Sequence, residues 1–390
     1  MSIARLAGAA GLALSLAAGP ALADDDLTIG MMLTLSGPPA VLGQHARDGF
    51  QLALEQLGGE IGGLPTNLIV VDDELKPDLA VDRARTLIES DGADFVVGTI
   101  FSNVLAAIYR PVTESGTILI SPNAGPSPFA GEACSENFFV TSYQNDQVHE
   151  VLGRYAQEAG IGRMILIAPN YQAGFDAIAG VKRHFEGEVV DEIYTQLGQA
   201  DYSAEIARIA AAQPDAIFVF LPGGMGVNFV RQWDQSGLKD TVRFLSAFTV
   251  DETTLPALQG AALGLYGAAD WAPGLDNERN QAFVAAFMER YGYVPGTYAA
   301  HAYDAAYLLD SAIRAVGGDL SDRDALRAAI RAADFESVRG AFAFNTNGYP
   351  VQDFYLLSVT ERADGLYQTE VAQQVFDDYG DVYAANCPLN

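Results

Sequence analysis

The sequence predicts an α/β protein with two lobes, each built on a parallel β-sheet. From residue 27 onward, short apolar runs alternate with amphipathic stretches, which is the pattern of βαβ units. The alternation occurs in two series, one before and one after residue 140. A chain of 390 residues is long enough for two domains that each have a core of their own.

The first series alternates strictly between strands and helices. Its predicted strands are Leu27–Leu33, Asn67–Val71, Phe95–Gly98 and Thr117–Ile120, and its predicted helices are Gly43–Leu57, Asp78–Ser90 and Ser102–Arg110. The second series has the same rhythm. Its predicted strands are Met164–Ala168, Val189–Tyr194, Ala216–Leu221, Arg243–Ser246 and Leu263–Ala268, and its predicted helices are Gln147–Ala159, Gly174–Phe185, Ser203–Ala212 and Val227–Gln235.

Three helices and two strands are predicted after residue 278. They are Asn280–Tyr291, Thr297–Ala315, Asp322–Ala332, Gly340–Phe344 and Phe354–Val359. Because the first series has too few helices to cover both faces of its sheet, we predict that the late helices return to the first lobe. The chain then crosses between the lobes near Phe139–Ser142, Tyr266–Asp270 and Asn347–Val351. A hinge of three crossovers permits the lobes to close on a ligand as rigid bodies.

These crossovers set the predicted domain bounds. Lobe 1 comprises residues 24–140 and 270–348, lobe 2 comprises residues 141–269 and 349–380, and residues 381–390 form a C-terminal tail. Residues 1–23 are expected to be a cleaved signal peptide, since Arg5 precedes an Ala/Leu/Gly run that ends in Ala21-Leu22-Ala23. The run is interrupted by Gly19-Pro20 and is too weakly apolar for a membrane helix. We therefore expect an exported protein that is not embedded in the membrane.

The charge and the cysteines exclude several classes of function. With 50 acidic and 22 basic residues, the net charge of −28 opposes binding to nucleic acid. The acidity is consistent with a solvated surface or with a cationic ligand. The two cysteines, Cys134 and Cys387, are expected to form a disulfide in an oxidising compartment. They are too few for a metal or redox motif, so no metal is predicted.

The end of the third predicted strand is a candidate anion site. Val96-Val97-Gly98 leads through Thr99-Ile100-Phe101 to Ser102-Asn103, where a helix begins. The free N–H groups and the positive dipole end of a helix start attract anions, and Ser102 adds a hydroxyl. The alternative interpretation is that Ser102 only caps its helix.

The next strand also ends in a segment that leaves backbone amides uncovered. Ser121-Pro122 is followed by Asn123, Ala124 and Gly125. In open α/β sheets, ligands lie beyond the carboxyl ends of the strands, so the two segments together outline one wall of a pocket. A plain Pro/Gly turn is the alternative.

Motifs of catalysis and of cofactor binding are absent from the sequence. Pro222-Gly223-Gly224-Met225-Gly226 follows a strand, but Phe229 stands where a dinucleotide fingerprint has its last glycine. No nucleophile elbow, zinc-protease motif or P-loop occurs. The four histidines lie on separate predicted elements. We therefore expect no enzyme activity and no cofactor, with a two-domain dehydrogenase as the alternative that nucleotide binding would reveal.

Aromatic residues near the predicted strand ends could enclose an apolar ligand. They are Phe101, Tyr171, Phe248, Trp271 and Tyr298. Core packing is the alternative for each of them taken alone.

The ordered motifs resemble the leucine/isoleucine/valine-binding branch of the periplasmic solute-binding proteins. The residues that carry this resemblance are Ile29-Gly30, Leu35-Ser36-Gly37-Pro38, Asp72-Asp73, Gly98 and Ile120-Ser121-Pro122. The resemblance covers nearly the whole chain after residue 23. It implies two Rossmann-like lobes of the type I periplasmic binding fold and a periplasmic protein, expected to be a monomer, that serves an ABC importer permease.

The same resemblance implies where a ligand is bound. Ser102 matches the serine that holds the ligand carboxylate, and Asn123 matches a residue that donates its backbone amide. Gly125 stands where amino-acid binders have a threonine, and Phe248 stands where they have the acid that pairs with the ammonium group. A buried ammonium without a charge partner is costly, which favours a ligand that lacks the amino group.

The runs from Asn123 to Gly131 and from Pro169 to Gly174 resemble the branch that binds aromatic acids such as benzoates or cinnamates. The predicted ligand-binding residues are Leu42, Phe101, Ser102, Asn103, Asn123, Ala124, Gly125, Tyr171, Phe248, Trp271 and Tyr298. The alternatives are import of branched-chain or other amino acids, and ligand sensing for a membrane kinase.

Overall fold

The structure is a computed structural model that describes residues 26–389. The predicted signal peptide, residues 1–23, lies outside the described residues. The first sheet has the strand order β2-β3-β1-β4-β5-β6 and is parallel except for the β2–β3 pair. Its strands are β1 (Leu27–Leu33), β2 (Glu60–Ile61), β3 (Leu64–Asp72), β4 (Phe95–Gly98), β5 (Ile118–Ser121) and β6 (Phe138–Val140).

The second sheet has the order β12-β13-β11-β10-β9-β7-β8, with β14 paired to β13. Its strands are β7 (Arg163–Pro169), β8 (Glu188–Thr195), β9 (Ala216–Val219), β10 (Arg243–Ser246), β11 (Tyr266–Ala269), β12 (Ala343–Phe344), β13 (Pro350–Glu361) and β14 (Tyr367–Tyr379). Strands β7 to β11 are parallel, whereas β13 is antiparallel to its neighbours. The predicted parallel strands form the body of each sheet, and antiparallel strands extend both: β2 pairs with β3 in the first, and β13 pairs with β11, β12 and β14 in the second.

Twelve α-helices lie within residues 26–389. They are α1 (Ala40–Gln56), α2 (Pro77–Arg85), α3 (Ser102–Glu114), α4 (Ser127–Ala130), α5 (Asn145–Glu158), α6 (Gln172–His184), α7 (Ser203–Ala212), α8 (Gly224–Ser236), α9 (Leu255–Leu258), α10 (Glu278–Tyr291), α11 (Thr297–Ala315) and α12 (Arg323–Ala332). A short π-helical segment, Thr86–Ser90, continues α2. Within residues 26–389, no helix combines the length and the apolar character that a membrane crossing needs.

Several predicted bounds differ from the structure. Helix α3 continues through Pro111 to Glu114 instead of ending at Arg110, because Val112 and Thr113 are buried on its inner face. Of the strand predicted at Gly340–Phe344, only Ala343–Phe344 (β12) is a strand in the structure. Strands β2, β6 and β14 are not predicted from the sequence. Much of β14 is polar and exposed, so no apolar alternation marks it in the sequence, and pairing with β13 creates the strand.

Of the helices that follow residue 278, α10 and α11 contact α1, and α12 contacts α11. Helix α11 lies across α1, and a Cβ atom at Gly49 would stand 2.1 Å from the carbonyl oxygen of Ala299. Only a glycine at this position of α1 permits the two helices to approach so closely. The predicted disulfide between Cys134 and Cys387 is also present and attaches the C-terminal segment to the loop after α4.

A buried ion network joins the segments that connect the lobes. Arg339 donates to the carbonyl oxygen of Ser142 (3.1 Å) and to Oε1 of Gln352 (2.6 Å). It also pairs with Oδ2 of Asp270 (3.3 Å) and Oδ2 of Asp304 (2.9 Å). The arginine side chain is 1% exposed and both carboxylates are fully buried. One guanidinium thus links all three crossovers to α11.

His301 extends this network from α11. Its Nε2 lies 2.7 Å from Oδ2 of Asp270, and its carbonyl oxygen accepts a hydrogen bond from Thr141. Burial by itself raises the pKa of Asp270, but His301 and Arg339 outweigh it and the pKa is lowered. The carboxylate therefore stays ionised at the centre of the hinge.

We expect the substitution Arg339→Met to lower the free energy of unfolding by about 3 to 5 kcal/mol, because it leaves two buried carboxylates without their cation. Urea denaturation of the full chain measures the change. The matched control is Arg154→Met, which removes an exposed pair with Glu158 and is expected to cost less than about 1 kcal/mol. Equal effects of the two substitutions would contradict this account of the hinge.

Glu252 provides a pH-dependent prediction. It is buried in the loop after β10, and its Oε1 accepts hydrogen bonds from the backbone and the hydroxyl of Thr369, both at 2.7 Å. Burial raises the pKa of Glu252 to about 7. Since the folded pKa exceeds the unfolded value, ionisation destabilises the folded protein progressively as the pH rises from about 4.5 to 7.

Glu252→Gln keeps the acceptor oxygen and removes the titration. The stability advantage of the variant over the wild type is expected to grow by about 2 kcal/mol as the pH rises from 5 to 8. Urea midpoints of both proteins at the two pH values test this. A difference in stability that is the same at both pH values would refute the prediction.

Candidate functional site

A cavity lies where the carboxyl ends of the strands of both sheets face each other. The space between its walls is about 360 Å³, including the part open to solvent. Its walls come from the segments after β4, β5, β6, β7, β9 and β10 and from the starts of α1 and α11. The lining residues are Leu42, Ile100, Phe101, Ser102, Asn123, Ala124, Tyr143, Asn145, His149, Tyr171, Ala173, Phe220, Pro222, Phe248 and Tyr298.

The structure brings eight of the eleven predicted site residues to this cavity. They are Leu42, Phe101, Ser102, Asn123, Ala124, Tyr171, Phe248 and Tyr298. The other three, Asn103, Gly125 and Trp271, do not line it. Trp271 lies in the core because its Nε1 donates to Oδ1 of Asn280 (2.7 Å) and its ring packs on Phe283. Asn103 follows Ser102 on α3 but is not part of the cavity wall.

Ser102 is positioned by the first turn of α3. Phe101 occupies the N-cap position and no side chain caps the helix, so the capping alternative for Ser102 does not apply. The N–H groups of Ser102 and Asn103 have no hydrogen-bond partner among the described residues, whereas that of Val104 bonds to the carbonyl oxygen of Phe101 (3.1 Å). The start of the helix carries the positive end of its dipole. The hydroxyl of Ser102 accepts a hydrogen bond from Nδ2 of Asn145 at 3.2 Å. Its own proton remains available to an acceptor in the cavity.

Asn145 links the two walls of the cavity. From the start of α5, its Oδ1 accepts the N–H of Gly125 (3.0 Å), and its Nδ2 donates to Asp176 (2.9 Å) as well as to Ser102. The amide of Gly125 is therefore occupied by a protein acceptor, which corrects the prediction that it holds a ligand carboxylate. Any Cβ at Gly125 would lie 2.0 Å from the carbonyl oxygen of Tyr143, so close backbone contact explains this glycine.

The turn after β5 is fixed by its own hydrogen bonds. Asn123 donates through Nδ2 to the carbonyl oxygen of Ile100 (2.6 Å), and its Oδ1 accepts from the hydroxyl of Tyr143 (2.8 Å). The N–H of Ala124 points to the carbonyl oxygen of Thr99 at 3.3 Å. These bonds use the side chain of Asn123 and the N–H of Ala124. The donors that remain for an anion on this wall are the hydroxyl of Ser102, the start of α3 and the backbone N–H of Asn123, which has no hydrogen bond among the described residues.

Asp176 connects the lobes beside the cavity. From α6, it accepts hydrogen bonds from the hydroxyl of Ser127 (2.7 Å) and from Nε2 of Gln172 (2.8 Å). Burial and the neighbouring Asp146 raise the pKa of Asp176 to about 6. The glycine-rich segment after β9 makes a second contact between the lobes, since a Cβ at Gly224 would lie 3.1 Å from Pro38. Close packing at the rim thus accounts for those glycines.

Aromatic rings form most of the remaining wall. The rings of Tyr143 and Phe248 stack with centroids 5.1 Å apart, and Tyr298 lies edge-on to Phe248 at 6.2 Å. Tyr171 is 6.2 Å from Phe101 and 6.4 Å from Phe220. These rings make an apolar enclosure for a flat ligand.

Two tyrosine hydroxyls remain free inside this enclosure. Among the described residues, neither Tyr171 nor Tyr298 has a hydrogen-bond partner for its hydroxyl. Burial raises the pKa of both, so each hydroxyl keeps its proton at neutral pH. They can donate to a ligand.

The described cavity wall carries no side chain of Asp, Glu, Lys or Arg. Asp251, three residues after Phe248, is buried outside the wall and accepts hydrogen bonds from Thr253. A bound anion would therefore be stabilised by hydrogen-bond donors and the helix dipole, without a counter-ion in contact.

Sequence reasoning missed several lining residues. They are Ile100, Tyr143, Asn145, His149, Ala173, Phe220 and Pro222. Asn145 and His149 are four residues apart on α5 and therefore share one face of that helix. This spacing is visible in the sequence, but nothing in it shows that the face is turned to a cavity rather than to the core.

A family model described as periplasmic binding protein matches residues 26–365. A Leu/Ile/Val-binding protein homolog 6 of Brucella melitensis is 27% identical in an alignment of 381 positions that covers 94% of this chain and 95% of the relative. A solute-binding protein of an ABC transporter from R. palustris, solved with benzoate, is 31% identical with a TM-score of 0.88. The match covers 93% of this chain and 99% of that one.

Two further structures have the same architecture. An R. palustris solute-binding protein in complex with 4-hydroxybenzoate is 25% identical with a TM-score of 0.85, over 91% of this chain and 98% of that one. A leucine binding protein of Thermotoga maritima is 21% identical with a TM-score of 0.77, over 88% and 98% of the two chains, and shows the shared fold.

Ser102→Ala is expected to weaken the binding of a carboxylate ligand by about 1.5 to 3 kcal/mol, the contribution of a hydrogen bond to a charged group. Isothermal titration with benzoate measures the loss. Ser115→Ala, at the opposite end of α3 and outside the cavity wall, is the matched control and should leave the affinity unchanged. An unaltered affinity of the Ser102 variant would remove this residue from the site.

Proposed function

The chain belongs to the periplasmic binding protein family, and on this premise we propose that it captures a small aromatic carboxylate for an ABC importer. The observation that carries the proposal is the composition of the cavity wall. One end offers hydrogen-bond donors to an anion, the body is aromatic, and no acidic side chain is present for an ammonium group.

The donors at Ser102 select the carboxylate. The hydroxyl proton of Ser102 is free because its oxygen, not its proton, is used by Asn145. The N–H groups at the start of α3 lie beside it, as in other anion sites at helix starts. Charge-assisted hydrogen bonds of this kind are stronger than neutral ones and hold a carboxylate in one orientation.

Phe248 argues against an amino-acid ligand. It lines the cavity where an acid would be needed to pair with an α-ammonium group. Leaving a charged ammonium in this aromatic enclosure without a partner would cost several kcal/mol. A flat aromatic ring, by contrast, packs well against Phe248, Tyr171 and Phe220.

The contacts between the lobes support capture by closure. Ser127 and Asp176 meet across the cleft next to Asn145, which itself reaches Ser102. Occupation of the carboxylate site and docking of the lobes are thereby linked through one chain of hydrogen bonds. A ligand that binds the closed form more tightly than the open form shifts the equilibrium toward closure.

Export to the periplasm through cleavage of residues 1–23 is part of the proposal. The family description and the structural relatives solved as solute-binding proteins of ABC transporters support it. Mass spectrometry of the exported protein identifies the cleavage site, which we propose to follow Ala23.

A thermal-shift screen tests the class of ligand. Benzoates and cinnamates at a hundred times their Kd should stabilise the protein by about 2.7 kcal/mol, whereas leucine and isoleucine should not. Benzamide is the matched control, since it keeps the ring and lacks the negative charge. Stabilisation by amino acids alone would instead establish the amino-acid-binding alternative.

A further inference from the structure

We propose that His149 recognises a hydroxyl group on the ring of the bound acid, so that the preferred ligand is a hydroxylated aromatic carboxylate. This inference rests on the proposed function and adds a specificity-determining residue to it. It starts from a polar side chain in the cavity wall that the capture of a plain carboxylate does not use.

His149 is buried on α5 without a hydrogen bond. Its side chain lines the cavity and the residue is 2% exposed. Among residues 26–389, no group bonds to its ring, and its Nδ1 is buried with no partner. Of the described side-chain atoms that are buried without a partner, Nδ1 of His149 is the one that belongs to a residue lining the cavity. A buried polar group of this kind calls for a partner such as water or a ligand.

The surroundings of the imidazole explain why the protein cannot satisfy it. The rings of Phe218, Phe220 and Phe248 lie 5.5, 4.9 and 6.0 Å away, centroid to centroid. None of them accepts or donates a conventional hydrogen bond. They hold the imidazole in place, and none of them competes with a molecule in the cavity for a hydrogen bond to the ring.

The imidazole is a better partner for a hydroxyl group of the ligand than for a second carboxylate. Burial lowers the pKa of His149 to about 3, so the ring is neutral at physiological pH. A neutral imidazole has one nitrogen that donates and one that accepts, and a phenolic hydroxyl can do both. A second carboxylate would find no cation here, because no Lys or Arg lines the described wall.

The advance along α5 from Asn145 to His149 matches the distance between the carboxylate and the para hydroxyl of a benzoate ligand. Asn145, which bonds to Ser102, begins α5, and His149 follows one helical turn later on the same face. Four residues of α-helix advance by about 6 Å along the axis. One benzene ring separates a carboxylate from a para hydroxyl by a comparable length, so an acid seated on Ser102 places that hydroxyl beside His149.

Isothermal titration of benzoate, 3-hydroxybenzoate and 4-hydroxybenzoate against the full chain tests the inference. The wild type is expected to prefer at least one hydroxylated acid over benzoate by about tenfold, since a buried site built for a hydroxyl discriminates against ligands lacking it. His149→Phe should still bind benzoate and should bind all three acids with about the same affinity. His149→Gln keeps a donor and an acceptor and should retain part of the preference, which preserves the test if the phenylalanine variant does not fold.

His184→Phe is the matched control. It lies outside the cavity wall, with Nε2 3.2 Å from Glu150, and its ratio of affinities should equal that of the wild type. A wild type that binds benzoate as tightly as both hydroxybenzoates, or a His149→Phe variant with the wild-type ratio, overturns this inference alone. Failure of every aromatic acid to bind overturns the proposed function as well.

Discussion

The arrangement of the two lobes depends on the buried guanidinium of Arg339. It lies where the three connections meet and is the cation for both Asp270 and Asp304. Burying three charges is expensive, and their mutual attraction compensates only when the geometry is close and the remaining donors are used. Here the remaining donors bond to Ser142 and Gln352, so each crossover is fixed at one point. The network thereby joins the three connections between the lobes to one another.

The cavity follows from the direction of the strands. Parallel strands in both lobes end toward the same cleft, so the turns after β4, β5, β7, β9 and β10 face one another across it. Ligands of open α/β sheets bind at such ends because the loops there are free to carry specific side chains. A chain of hydrogen bonds runs from Ser102 through Asn145 and Asp176 to Ser127 and links the two walls of the cavity.

Within this common architecture, the chemistry of the cavity is asymmetric. The end near Ser102 is suited to an anion, whereas the end near Phe248 and Phe220 is aromatic and uncharged. Structures of benzoate-bound and leucine-binding proteins share the fold, so the fold by itself does not define the ligand. The ligand depends on the side chains that line the cavity, and among these we propose a role in specificity for the unsatisfied imidazole of His149 on α5.

Local patterns in the sequence determined the elements of secondary structure. Strands β4 and β10 and helices α7 and α11 have the predicted bounds residue for residue, because apolar periodicity and turn residues act over short distances. The order of motifs also placed Ser102, Asn123 and Phe248 at the cavity. The antiparallel strand β14 was missed because its side chains are polar and only the pairing with β13 makes it a strand.

Tertiary structure alone decided which side chains reach the ligand. Trp271 was predicted in the site and lies in the core, while Asn145 and His149 were not predicted and line the cavity. The amide of Gly125 was expected to be free and is bonded to Asn145, twenty residues away. The sequence sets the local conformation of these residues, but burial, orientation and hydrogen-bond partners depend on segments that become neighbours only when the two lobes are assembled.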